Sequence, residues 1–207
     1  AFNSRNFEYY SEDPLLSGVT AAKVVSSLQK HKIVPYIKHF ALNERETNTR
    51  DQLFTWCSEQ AMREIYLRPF ELAVREGGSL GVMSSFNYIG HPWAGGSEAL
   101  LTDLLRNEWG FEGAVVTDAC LYPYMKVDQM VYAGGDLSLD TLGGFTGGNG
   151  KRKTLLAAAQ NPVCRIAMAT WLQASAKDMP TLRQPTIRLF AMLLRPSPRY
   201  TKLRPLI

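Results

Sequence analysis

The chain has 207 residues, of which 45% are hydrophobic and 20% charged, so it can bury a substantial core and has an ordinary globular composition. No stretch approaches the roughly 18–20 uninterrupted apolar residues of a membrane span, and the first residues lack the pattern of a signal peptide. Three widely spaced cysteines, without a CxxC or a Cys/His cluster, argue against a disulfide framework or a zinc site. We therefore expect no metal, no cofactor and no membrane partner, and a cytoplasmic location is slightly favoured.

The charge changes sharply near residue 150. Residues 1–150 hold 12 Lys/Arg and 18 Asp/Glu residues, a net charge of −6, whereas residues 151–207 hold 11 Lys/Arg residues and one acid, a net charge of +10. All 16 glycines precede residue 151. We expect one domain over 1–150 and a basic, glycine-free segment over 151–207, with a weak apolar stripe that suits a divergent closing helix. Such a segment can bind polyanions, but it carries no nucleic-acid-binding signature, so this is a minor alternative.

Caps and apolar spacing predict four helices. Asp13 and Pro14 form an N-cap and first-turn pair that predicts a helix to about residue 30. Apolar residues at spacing four predict a second helix from residue 51, which Pro69 should kink or restart. A fourth helix is expected over 124–133. The third opens at Ser97 and places four leucines on one face, namely Leu100, Leu101, Leu104 and Leu105.

Apolar runs between turn formers predict strands over 33–40, 81–86, 113–118 and 135–139. Strands that alternate with helices at this period form right-handed βαβ units around a parallel sheet. The expected fold class is therefore α/β. Four such units supply half of an eight-stranded barrel.

Polar or aromatic side chains lie where these strands are predicted to end. Asp118 closes the third strand, Lys38 and His39 lie at the end of the first, Phe86 lies at the end of the second, and Asp136 lies near the fourth. Parallel strand ends share one rim, where barrel folds keep their chemistry. Cations, a histidine and a carboxylate on one rim suit a ligand rich in hydroxyl groups. Alternatively, Asp118 caps the next helix, His39 is a buried structural histidine and Lys38 is a solvated loop charge.

Five ordered blocks resemble glycoside hydrolase family 3, the β-glucosidase family. The first two are the stretch RNFEYYSEDPLLSG at 5–18 and the stretch KHFALNERETN at 38–48. Three more follow at 64–71, 101–111 and 113–118. The resemblance covers about residues 1–150. It implies the second half of a (β/α)8 TIM-type barrel, incomplete on its N-terminal side.

The resemblance also implies roles for individual residues. Asp118 falls on the catalytic nucleophile of a retaining mechanism, which hydrolyses terminal β-D-glucosyl or related β-glycosyl groups. Arg5, Lys38 and His39 fall on positions that hold sugar hydroxyls. Met83 matches a methionine that lines the sugar site. Phe86 falls where many members have tyrosine, and Ala119 stands where tryptophan often follows the nucleophile.

The general acid/base is not assigned by these motifs. In the family's β-glucosidases it is a glutamate on a second domain, so we expect an acid/base-bearing domain outside this chain. Glu44 and Glu46 lie close to the sugar-binding motif, but the motif gives them no such role. The His-Asp acid/base motif of the N-acetylglucosaminidase members is absent, which favours the β-glucosidase branch. A catalytically inactive carbohydrate-binding remnant stays open as an alternative.

Overall fold

The computed structural model describes residues 5–51 and 53–139. Its first long helix, α1 (Pro14–Lys30), begins and ends as predicted. The Asp13 side chain caps it by accepting a hydrogen bond of 2.6 Å from the Leu16 backbone N–H. Within the described ranges, no helix is both long and apolar enough to cross a membrane.

The described residues form six strands in two sheets. The main sheet is parallel throughout, with the strand order β1-β3-β5-β6, and β2 pairs with β4 in a small second sheet. Because the main strands run the same way, their carboxyl ends meet at one rim. The strand bounds are β1 (Ile37–Phe40), β2 (Phe54–Thr55), β3 (Gly81–Ser84), β4 (Tyr88–Ile89), β5 (Ala114–Ala119) and β6 (Leu137–Leu139).

Helices connect the main strands in the predicted alternation. The crossover from β1 to β3 contains α2 (Glu59–Ala61), a π-helical segment (Met62–Leu67) and α3 (Arg68–Arg75). The crossover from β3 to β5 contains a 3-10 turn (Ala94–Gly96) and a π-helix (Ala99–Glu108). The last crossover contains α4 (Val127–Tyr132). These βα units in a parallel sheet confirm the α/β fold class. A further 3-10 turn covers Asn6–Glu8.

Two element predictions were wrong by four residues or more in their starting points. The first strand begins at Ile37 rather than residue 33, after Pro35, which has no backbone N–H to give to a sheet. The second helix begins at Glu59 rather than residue 51, because Ser58 caps it and residues 54–55 form β2 instead. Pro69 does restart the helix, since it lies in the first turn of α3.

The core lies between the main sheet and its helices. All four predicted leucines of the π-helix are buried there, together with Val82 of β3 and Val115 of β5. Phe40 joins them, with its ring centroid 5.1 Å from that of Phe70 and 5.8 Å from that of Trp109. The ends of β1, β3 and β5 are therefore anchored to one packed layer, which fixes their relative positions.

Asp136 does not lie at the rim where Asp118 ends β5, so the prediction that it shares this edge was wrong. It immediately precedes β6 and accepts hydrogen bonds of 2.7 Å from Arg106 and from the backbone N–H of Val115, near the start of β5. Both side chains of this ion pair are buried. Asp136 thus fastens the π-helix to the opposite edge of the sheet, a structural role.

Candidate active site

Asp118 lies near the carboxyl end of β5 and is only 8% exposed. Its Oδ1 accepts a hydrogen bond of 2.8 Å from the Ala119 backbone N–H. Its Oδ2 is buried, and it has no hydrogen-bond partner among the described residues. Burial raises the pKa of Asp118, while the Ala119 hydrogen bond and the charges of Arg5 and Arg50 oppose that rise. The Ala119 hydrogen bond thus orients the carboxylate through Oδ1, and Oδ2 is the oxygen without a hydrogen-bond partner among the described residues.

His39 lies beside this oxygen, as the strand-end prediction required. Its Nε2 is 3.5 Å from Asp118 Oδ2, and its Nδ1 is 3.5 Å from the Tyr9 hydroxyl. Burial, together with the positive charges of Lys38 and Arg5, lowers the pKa of His39 to about 4. The ring is therefore neutral at neutral pH, with one nitrogen able to donate a hydrogen bond and the other able to accept one.

Arg5 and Lys38 meet on a shared carboxylate that the sequence analysis did not single out. Glu8 forms an ion pair with the Arg5 Nε at 2.5 Å and another with the Lys38 Nζ. The Arg5 hydrogen bond and the Lys38 contact lower the pKa of Glu8 to about 2, so the carboxylate is ionised. Glu8 therefore brings together two cations that are 33 positions apart in the chain.

Glu46 organises a second charged group at the site. Its buried carboxylate accepts hydrogen bonds from Arg50 at 2.7 Å and from Asn43 at 2.8 Å, and it lies 3.3 Å from an Arg5 guanidinium nitrogen. Burial alone would raise the pKa of Glu46, but the hydrogen bonds and charges of these partners lower it overall. Glu46 is thus an ionised residue that holds arginines. Glu44, by contrast, is exposed.

Arg50 is a site residue that motif matching missed. Its guanidinium carbon lies 5.0 Å from the centre of the Phe86 ring, a cation–π contact. Its charge also lowers the pKa of Asp118. In the sequence, Arg50 lies four residues after Glu46, a spacing that is typical of an ion pair. That spacing does not predict the contact between Arg50 and Phe86.

Phe86 and Met83 complete the site from β3 and the loop after it. Phe86 is 1% exposed, and its ring centroid lies 5.5 Å from that of Tyr122 in an edge-on contact. Met83 pairs in register with Val116, two residues before Asp118. Because side chains alternate along a strand, Met83 is on the sheet face that Asp118 shares. All six predicted site residues thus contribute to one region at this rim or the sheet face beneath it.

The Ala41 carbonyl joins the first two strand ends. It accepts a hydrogen bond of 3.1 Å from the Ser85 hydroxyl and one of 3.0 Å from the Asn87 side-chain amide. All three residues are buried. The chain after His39 is therefore fixed to the chain around Phe86.

The sequence model of the glycosyl hydrolase family 3 N-terminal domain matches residues 1–140. The chain belongs to glycoside hydrolase family 3. Among its relatives, beta-glucosidase B of Emericella nidulans is 45% identical over 114 residues, which are 55% of this chain and 13% of that protein. Beta-glucosidase A of Butyrivibrio fibrisolvens is 42% identical over 135 residues, which are 65% of this chain and 16% of that protein.

Solved structures of the family agree with the fold. Beta-glucosidase 3B from Thermotoga neapolitana, in complex with alpha-D-glucose, superposes with a TM-score of 0.73 at 32% identity and covers 93% of this chain. The beta-glucosidase D2-BGL from Chaetomella raphigera superposes with a TM-score of 0.71 at 28% identity and covers 87% of this chain. The chain spans 28% and 25% of these two proteins, and it therefore corresponds to part of a barrel-type α/β domain.

The predicted basic segment over 151–207, with its expected closing helix, lies outside the described residues. Within residues 5–51 and 53–139, no three His, Cys, Asp or Glu side chains are grouped so that they could hold a metal ion.

Proposed function

We propose that this family 3 chain carries the nucleophile and part of the sugar-binding site of a retaining β-glucosidase, with Asp118 as the nucleophile. One observation carries the proposal: Asp118 Oδ2 is buried, lacks a hydrogen-bond partner among the described residues, and is surrounded by groups that bind hydroxyls. The related proteins that are called beta-glucosidases supply the substrate class, a terminal β-D-glucosyl or related β-glycosyl group.

In the first step, an Asp118 Oδ2 lone pair forms a bond to the anomeric carbon while the glycosidic carbon–oxygen bond breaks. The leaving oxygen takes a proton from a general acid. In the second step, water gives a proton back to that group and displaces the Asp118 carboxylate from the sugar. The Ala119 N–H supports this chemistry because it holds Oδ1 still and leaves Oδ2 for the substrate.

The remaining predicted residues, apart from Phe86, bind the sugar in this proposal. Arg5, Lys38 and His39 bind its hydroxyls, with Glu8 holding the two cations in place. Met83 contacts an apolar face of the ring. Phe86, which the motifs also placed in the sugar site, is only 1% exposed and has Arg50 over its ring, so it supports the site from behind. His39 suits the task because the neutral imidazole can donate to one hydroxyl and accept from another.

The general acid/base in this proposal lies outside this chain. A general acid must be protonated near neutral pH. Glu8 and Glu46 are both ionised by their arginine and lysine partners, so neither carboxylate suits the role. A separate domain that closes over the rim would supply the second carboxyl at about 5–5.5 Å from the nucleophile.

The nucleophile is tested by Asp118→Ala, assayed on a nitrophenyl β-glucoside with the complete protein. We expect the turnover number to fall by about 10⁴-fold or more. Azide should restore part of the rate and give a glycosyl azide of inverted configuration, because it enters the space of the missing carboxylate. The matched control is Asp103→Ala, on the exposed surface of the π-helix, which should keep full activity. Near-normal turnover in Asp118→Ala would refute the proposal, and turnover by neither the parent nor the variant would favour the inactive remnant.

A further inference from the structure

The pairing between β5 and β6 is irregular beside Asp118. Val116 pairs with Leu137 and Ala119 pairs with Leu139, so β5 advances by three residues where β6 advances by two. The extra residue of β5 lies between these two pairs, and the strand bulges there. Bulges are frequent next to active sites, where they change the direction in which a side chain points. The direction of the Asp118 side chain therefore depends on how this bulge is held.

The Thr117 hydroxyl fastens the bulge to the neighbouring strand. Its Oγ1 accepts a hydrogen bond of 2.8 Å from the Leu139 backbone N–H, a contact between a side chain of one strand and the main chain of the next. The Cys120 N–H in turn donates a hydrogen bond of 2.9 Å to the Leu139 carbonyl. Thr117 is 1% exposed, so its hydrogen bond is shielded from water. Leu139 of β6 is thus bound to the chain on both sides of Asp118.

Two more polar side chains pack around the Thr117 hydroxyl. Cys120 Sγ lies 3.3 Å from Thr117 Oγ1 and 3.2 Å from Ser138 Oγ, within hydrogen-bonding distance for sulfur. The same sulfur lies 3.8 Å from the Asp118 carbonyl oxygen. Two hydroxyls and a thiol therefore form a network between the strands, and this network contacts the main chain of Asp118.

The orientation of the Asp118 carboxylate requires this main chain to keep its direction. Oδ1 accepts a hydrogen bond of 2.8 Å from the Ala119 N–H, which belongs to the next residue of the same bulged stretch. Oδ2 lies 3.5 Å from His39 Nε2. Because Thr117 and Cys120 hold the chain to β6 on either side, the Ala119 N–H stays where Oδ1 can reach it.

We propose that Thr117 is a positioning residue for Asp118. Its hydroxyl, bound to β6 and to Cys120, fixes the bulge so that the Ala119 N–H holds the carboxylate in the orientation needed for attack on the sugar. The benefit to catalysis rests on the proposed function, whereas the dependence of the Ala119–Asp118 hydrogen bond on Thr117 does not. Thr117 acts through Asp118 alone, since its hydroxyl is bound to groups of β5 and β6.

The first test follows the Ala119 backbone amide of the full chain by NMR. An amide proton that donates to a carboxylate is shifted downfield, and Asp118→Ala gives the position of this resonance without its acceptor. Thr117→Val loses the hydroxyl at nearly constant volume, so it should move the resonance most of the way to that reference. Thr117→Ser keeps the hydroxyl and should stay near the parent position.

Thr102→Val is the matched control. Thr102 is also buried, and its hydroxyl donates a hydrogen bond of 2.9 Å to the Ala133 carbonyl, so this variant loses a comparable contact away from the bulge. It should leave the Ala119 amide unchanged. Ser138→Ala serves where Thr117→Val does not fold. Ser138 is half-buried, and loss of its contact with Cys120 should move the amide in the same direction by a smaller amount.

The second test measures turnover of a nitrophenyl β-glucoside by the complete protein. Thr117→Val should lower the turnover number by about 100-fold through misplacement of the nucleophile, and Thr117→Ser should restore most of it. The inhibition constant for glucose should change little, because Thr117 does not bind the sugar.

The two tests separate the positioning role from the proposed function. If the parent protein turns over no glucoside, the proposed function fails and the Ala119 amide alone decides the role of Thr117. An Ala119 amide that stays at the parent position in Thr117→Val, or in Ser138→Ala where the first variant does not fold, would overturn the positioning role. An equal shift in Thr102→Val, or equal effects of Thr117→Val and Thr117→Ser, would overturn it as well.

Discussion

At the scale of single residues, the environment of Asp118 balances two opposite effects. Burial raises the pKa of its carboxyl, whereas Arg5, Arg50 and the Ala119 N–H favour the ionised form. A desolvated but ionised carboxylate is a better nucleophile than one in water, because it sheds no hydration shell when it attacks. In the proposed mechanism, the charged groups around Asp118 therefore favour the ionised nucleophile and also bind the sugar.

The lowered pKa of His39 predicts how the free energy of unfolding depends on pH. Its pKa is about 4 in the folded protein, against about 6.5 for an unperturbed histidine, so between these values the unfolded chain binds more protons. The stability from this residue is complete above about pH 6.5 and is lost as the pH falls towards 4. His39→Asn should flatten the dependence of the unfolding free energy on pH across that range, measured by urea unfolding.

His31→Asn is the control for this measurement, because His31 is exposed at the end of α1. It should leave the pH dependence of the parent unchanged. An equally steep dependence in His39→Asn and the parent would show that His39 is not held neutral by its surroundings.

The sequence predicted which residues meet at the site but not how they are held. Asp118, His39 and Lys38 follow from strand ends and motifs, since a strand end fixes where its side chains stand. Glu8 and Glu46 were not assigned, because their roles depend on which cations fold back on them across many positions. Local spacing carries no information about such contacts.

At the scale of elements, the contact between α1 and α3 depends on Gly18. A Cβ atom there would lie 2.5 Å from Leu72 Cδ1 and 3.1 Å from the Pro69 Cα. We predict that Gly18→Val destabilises the fold by about 1–3 kcal/mol through overpacking, despite glycine's poor helix propensity. Thermal or urea unfolding measures this change. Ser27→Val, at an exposed position of the same helix, should change stability by less than about 0.5 kcal/mol; an equal loss in both variants would exclude overpacking as the cause.

Element prediction succeeded where a local signal was strong. The Asp13 cap and Pro14 fix the start of α1, and four leucines mark the buried face of the π-helix. It failed over residues 51–58, where apolar spacing suggested a helix. There the chain pairs with β4 instead, an interaction between residues more than 30 positions apart that no local pattern reveals.

At the scale of the whole molecule, the described residues form consecutive units of a parallel sheet. The barrel-like order β1-β3-β5-β6 brings the strand ends that carry His39 and Asp118 to one rim because all four strands run in the same direction. Alternation of strands and helices predicted this order. The general acid/base could not be predicted from this sequence, since none of the motifs that it shares with the family assigns one.

The central claim, that Asp118 forms a covalent bond to the sugar, can be tested without the acid/base. Fluoride leaves without a proton donor, and a fluorine beside the anomeric carbon slows hydrolysis of the intermediate. The purified protein treated with a deoxyfluoroglucosyl fluoride should gain one sugar group, located by mass spectrometry on the peptide that contains Asp118. Asp118→Asn should gain none and Asp103→Asn should gain it fully. A label on another residue, or none on the parent protein, would contradict the account.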